Sequence, residues 1–134
     1  MNNKENKKTK PEKLQELRFW FEGGSKKYKA FRENPIYRAI LEAIDRSNYE
    51  DFLTLDIMQD FQEHNPKALE TLGLTLQKGF SERSIGSRLK QLVQRSMLEI
   101  KEENSRVRQK TFRVDRDVSE EFKEYVRKLL NKRT

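Results

Sequence analysis

The sequence predicts a mainly α-helical protein carrying one small antiparallel β-hairpin. Three observations point to that class. Apolar residues recur every three or four positions through most of the chain, as in Ile36, Tyr37, Ile40, Leu41 and Ile44, or Ile85, Leu89, Leu92 and Val93. The period switches to two only near Leu98–Val114: Leu98 and Ile100 alternate with Glu99 and Lys101, and Phe112 and Val114 with Thr111 and Arg113. Between those runs Asn104-Ser105 supplies turn chemistry.

Composition sets the outer bounds. At 134 residues the chain has the size of one domain with room for an additional helix at each end. Hydrophobic residues make up 34% and charged residues 38%, which implies a small core under a strongly charged surface. No run approaches the roughly 18 apolar residues of a membrane span. The basic start, MNNKENKKTKPEK, leads into no apolar stretch and so does not read as a secretory signal. Without cysteine there is neither a disulfide framework nor a thiolate metal site. A cytoplasmic protein is expected, with no membrane partner.

The net charge of +7 is unevenly spread. Residues 1–33 carry ten Lys and Arg against five acids, residues 34–75 three against eight, and residues 76–134 sixteen against nine. Clustered cations favour a polyanionic partner, because they release counterions on meeting phosphates.

Taken in order, residues 1–11 read as a flexible basic tail and 12–33 as a helical extension. Leu14, Leu17 and Phe21 share one face of a helix at 12–22, with Phe19 and Trp20 beside it, and Gly23-Gly24 stops it. Phe19 and Trp20 fit buried packing better than stacking on nucleic-acid bases. Asn34-Pro35 opens a helix to about Arg46, with Asn as cap and Pro where no donor is lost. Phe52-Leu53-Thr54 is a short extended segment, Thr54 can cap a helix at 55–64, and His64-Asn65-Pro66 ends it. Residues 67–72 suit one more helical turn, 74–80 a loop. Ser81 then suits the cap of a helix at 82–95. After the hairpin, Asp117 or Ser119 can cap a last helix within 117–134, where Phe122, Tyr125, Val126, Leu129 and Leu130 form a stripe.

The order helix, short strand, helix, helix, hairpin over residues 34–116 resembles the winged helix-turn-helix superfamily. The segment SERSIGSRLKQLVQRSMLEIKEENSRVRQKTFRV is similar to its recognition helix and wing. That resemblance implies a winged helix with added N- and C-terminal helices and double-stranded DNA as the partner. The 64–81 connection is longer than the tight turn common in that superfamily.

The residues carry the same chemistry on their own. Opposite the apolar sector of helix 82–95 lie Arg83, Ser84, Ser87, Lys90, Gln91 and Gln94, flanked by Arg88 and Arg95, with Glu82 the one acid. Arg and Lys reach guanine or phosphate, Gln reaches adenine, and Ser reaches either. Gly86 costs such a helix about 1 kcal/mol relative to Ala, which suggests a close backbone contact. Arg106, Arg108 and Lys110 alternate around the 104–110 tip, where a wing meets flanking DNA. A sequence-specific transcriptional regulator is expected, with a replication or partition factor as the alternative within DNA binding. A protein-interaction module, using the acidic 34–75 stretch, is the rival from another class. The stripe of Phe122, Tyr125, Val126, Leu129 and Leu130 either packs on its own domain or forms a homodimer contact, the latter matching a twofold operator.

Enzymatic readings are weaker. Glu99-Ile100-Lys101, with Asp56 or Asp60 upstream, superficially matches a metal-dependent nuclease pattern, but the aspartates fall on a helix and Glu99 and Lys101 on a solvent face. No phosphate-cradling glycine loop, nucleophile-base pair or effector pocket is legible. No enzyme, cofactor or metal is expected.

Overall fold

The computed structural model describes residues 7–72, 78–104 and 109–131. It is mainly helical with a two-stranded antiparallel sheet, as the period changes in the sequence predict. Helix α1 (Lys10–Glu22) already starts at Lys10, inside the stretch expected as a tail through residue 11; residues 1–6 of that stretch lie outside the described residues. Thr9 and Glu12 form a reciprocal capping box there, Glu12 N–H donating to Thr9 Oγ1 and Thr9 N–H to Glu12 Oε1. Gly23 ends the helix, and a Cβ at that position would collide with the Phe19 carbonyl and the Tyr28 ring. Arg32 of α2 (Lys26–Glu33) locks the corner by donating to the carbonyls of Trp20 (2.9 Å) and Gly23 (2.7 Å).

Asn34 caps α3 (Pro35–Arg46) through bonds from the N–H groups of Ile36 and Tyr37. Asn48 and Tyr49 then take left-handed backbone, with φ of 62° and 61°. Tyr49 is held in this unfavourable region by its hydroxyl bond to Asp45 and its ring edge against Phe122. The turn delivers Phe52 to the hairpin, where Phe52 and Phe112 exchange two backbone hydrogen bonds of 2.9 and 2.8 Å. Thr54 is the first residue of α4 (Thr54–His64) and not its cap. The Leu53 N–H is satisfied instead by the Asp56 carboxylate at 2.7 Å. A short α5 (Pro66–Thr71) follows.

Helix α6 (Lys78–Gln94) contradicts the expected loop over its first turn: residues 78–80 are helical and Ser81 lies inside the helix. A capping residue type marks a start only where the preceding chain leaves helical dihedrals. The far end closes with Ser96 at φ 68°, the Ser96 N–H donating to Val93 O and the Met97 N–H to Leu92 O, the paired bonds of a Schellman turn.

β1 (Leu98–Asn104) pairs with β2 (Gln109–Val114) in the register Leu98↔Val114 and Ile100↔Phe112, then shifts at a bulge about Lys101. Leu98 is buried, but Ile100 is exposed, so the inward alternation expected for Ile100 ends at the bulge. Glu99 anchors the outer face by accepting from Arg113 Nε (3.0 Å), Arg116 N (3.0 Å) and Arg116 Nε (3.1 Å). Burial alone would raise the Glu99 pKa, but these donors outweigh it and hold it below 4.5.

A turn of 3-10 helix at Arg116–Val118, where the Asp115 carboxylate accepts from Asp117 N–H, leads into α7 (Ser119–Asn131). Asp115 thus caps the 3-10 turn, while Ser119 is the first residue of α7 and Asp117 lies within the turn, so neither stands as the cap expected of it. Helix α7 packs on α1 and α3. Phe122, Val126 and Leu129 are buried in the same hydrophobic cluster as Leu17, Ile40 and Leu89. Tyr125 stacks on Phe21 at 5.0 Å, and Leu130 is partly buried. The stripe considered for dimerisation is thus used inside the chain, because α1 and α3 supply the apolar surface that a second copy would have offered. Among the described residues no helix is long and apolar enough to cross a membrane.

Phe122→Ala is expected to lower unfolding stability by about 3–5 kcal/mol in urea titrations. A variant that shifts only the association state would contradict the internal role of α7. Because the folded pKa of Glu99 is depressed, its contribution is fully present above pH 4.5 and fades as pH falls through the lower folded value. Glu99→Gln should therefore lower Tm at pH 7, and the gap from wild type should close as melting is repeated at pH values falling progressively below 4.5.

Candidate nucleic-acid interface

Helix α6 divides its side chains by period. Ile85, Leu89 and Leu92 are fully buried, and they fix the roll of the helix on α4 and β1. Arg83, Ser87, Lys90 and Gln94 form an exposed row on the opposite side. Ser84, Arg88, Gln91 and Arg95 occupy the flank that turns toward α1–α3, while Glu82, Gly86 and Lys90 border α4 and β2.

The flank differs from its expected role. Arg88 folds back along its own helix, its Nη1 donating to Ser84 Oγ at 2.7 Å and to Ser84 O at 3.3 Å, so one arm of its guanidinium and the Ser84 hydroxyl are engaged with each other. Arg95 does not face outward with the row. Its Cζ lies 4.2 Å from the Trp20 ring centroid, 5.1 Å from Phe31 and 5.0 Å from Tyr37. Its Nη1 is buried without a hydrogen-bond partner, a cost offset by the ring faces, whose quadrupoles attract a desolvated cation. Arg95 is therefore a packing residue, contrary to its expected place among the DNA contacts. Gln91 is exposed yet tethered, its Oε1 accepting from the Tyr37 hydroxyl at 2.6 Å.

Nothing in the spacing of residues marks the second tether at this end of α6. Lys8 Nζ donates to Gln94 O at 2.8 Å and to Ser96 Oγ, and Ser96 Oγ donates to Glu16 at 2.8 Å. Carbonyls at a helix C-terminus lack intrahelical partners and carry partial negative charge, so an ammonium there is doubly favourable. The Lys-rich start of the chain contributes in this way to α6 itself. No spacing rule links Lys8 to Gln94.

On the other flank, Lys90 of α6 and Lys110 of β2 line one shallow groove of about 190 Å³, with Thr54 and Leu55 at the start of α4 and Glu82 on its rim. Two of the expected contacts, one from the helix and one from the hairpin, are thereby brought together. Arg106 and Arg108 lie outside the described residues. A Cβ on Gly86 would sit 3.8 Å from Thr54 Oγ1, an ordinary contact. Gly86 thus faces α4, and the close approach expected there is not to an external partner. The acids of the nuclease-like pattern are dispersed: Asp60 pairs with Arg46 (2.6 Å), Asp56 caps Leu53, and Glu99 holds Arg113 and Arg116.

Comparison of the chain with protein families, with characterised proteins and with solved structures finds no match.

Gly86→Ala is expected to stabilise the fold by up to about 1 kcal/mol, since Ala is the better helix former and the site accepts a methyl group. Thermal melting checks this. A lowered Tm would mean that Thr54 cannot accommodate the methyl.

Proposed function

We propose that the protein binds double-stranded DNA as a winged helix, laying the exposed row of α6 in the major groove with the 104–110 hairpin tip alongside, and that it acts as a sequence-specific transcriptional regulator. The observation that carries this reading is the row Arg83, Ser87, Lys90 and Gln94, with Lys110 across a shared groove from Lys90. A row of donors on a rigid, core-anchored helix suits phosphate oxygens and base edges together. The order α3, Phe52 bridge, α4, α6 and hairpin supports the same reading. The apolar face of α6 is committed to the core, which leaves only its polar side for a partner.

A palindromic operator would require two copies related by a twofold axis. Those copies would have to meet on a surface other than the α7 stripe.

Salt titration of duplex binding tests the proposal. With about four to six phosphate contacts, log affinity should fall against log salt with a slope of about −4 to −5, and Lys90→Ala should make it shallower by about one. Undetectable duplex affinity at low salt would sink the proposal in favour of a protein partner.

A further inference from the structure

Gln91 is exposed on α6, yet one end of its amide is already committed. Its Oε1 accepts from the buried Tyr37 hydroxyl at 2.6 Å and from Arg95 Nη2 at 3.2 Å. A guanidinium has no acceptor, so the atom beside Arg95 has to be the amide oxygen. That fixes which way the amide points. Arg95 is itself held among Trp20, Phe31 and Tyr37. A carbonyl oxygen has two lone pairs, and both are engaged here. What Gln91 has left to offer is its NH₂ group, a donor.

We propose that Gln91 is a donor-only reader of the major groove that selects guanine over adenine, with Tyr37 and Arg95 as the positioning residues that make it so. The inference rests on the duplex-binding reading above. The usual pairing of Gln with adenine needs both ends of the amide, the oxygen accepting from N6 and the nitrogen donating to N7. With the oxygen held inside, that pairing loses half its bonds, and the adenine N6 donors meet an N–H. Guanine presents O6 and N7, both acceptors, and suits the group that remains.

The position read by Gln91 is located by comparing sequences that wild type and Gln91→Ala select from a random duplex pool. Affinities are then measured for four duplexes differing only at that base pair. Wild type is expected to favour guanine over adenine by about tenfold, the low end of what one base-edge contact discriminates. Tyr37→Phe, which removes one tether, should reduce that ratio at least about threefold. Gln91→Glu keeps an oxygen for Tyr37 and Arg95 but turns the outer atom into an acceptor, so preference should move to cytosine. A wild-type preference for adenine overturns the inference. So does a ratio unchanged in Tyr37→Phe while affinity for all four duplexes drops together, the signature of a merely structural role. Duplex binding with no preference at this base pair overturns the inference and leaves the binding proposal standing. No duplex binding at all overturns both.

Discussion

The enclosure of the Arg95 guanidinium by Trp20, Phe31 and Tyr37 is the constraint on which the arrangement of the molecule depends, because it joins the end of α6 to three other helices at once. Each ring comes from a different helix, α1, α2 or α3. A cation over one exposed ring is worth about 0.5–1 kcal/mol and more when desolvated. The attraction of three rings around one half-buried guanidinium is therefore of the same size as the cost of a lost hydrogen bond at Nη1, about 1–3 kcal/mol, and offsets it. Lys8 and Glu16 reinforce the same junction from α1 and the residues just before it, bonding to Gln94 O and Ser96 Oγ. The consequence is an asymmetry along α6. Its C-terminal end is gripped by the N-terminal extension, while Arg83, Ser87 and Lys90 are exposed along the rest.

Charge is sorted by the same packing. Several acids of the 34–75 stretch are engaged locally: Asp60 with Arg46, Asp51 with Lys101, Asp45 with the Tyr49 hydroxyl and Asp56 with a backbone N–H. The negative segment therefore works largely as internal wiring between α3, α4 and the hairpin. Such pairs add little stability each where exposed. Their effect here is to keep carboxylates occupied beside a face rich in donors.

How far the sequence could be read follows from what kind of signal each feature leaves. Helices and hairpin were legible because burial imposes periods of 3.6 and 2, visible at Ile36–Ile44, Ile85–Leu92 and Phe112–Val114. Asn34 and Pro35 marked a true start, since two adjacent signals agreed. Ser81 misled because a lone Ser is tolerated inside a helix. A stripe such as Phe122, Val126 and Leu129 announces that a face is buried but not against what. The answer here, α1 and α3, lies about eighty to a hundred residues earlier in the chain. The role of Arg95 was hidden for the same reason, as its aromatic partners are 58 to 75 positions away. Residue type alone placed Arg95 with Arg83, although their environments are opposite.

Gln91 shows that even a correctly placed surface residue has chemistry its type does not determine. A glutamine is both donor and acceptor on paper. Fixed by Tyr37 and Arg95, this one turns only its donor outward, as Arg83 and Lys90 do by nature. Ser87 and Gln94 keep acceptor capacity, and Glu82 sits at the rim of the Lys90 groove. The outer side of α6 is thus biased toward donation beyond what counting its residues would suggest. A surface of that kind discriminates against partners that present N–H groups and favours those that present oxygen or ring nitrogen, as phosphates and guanine edges do.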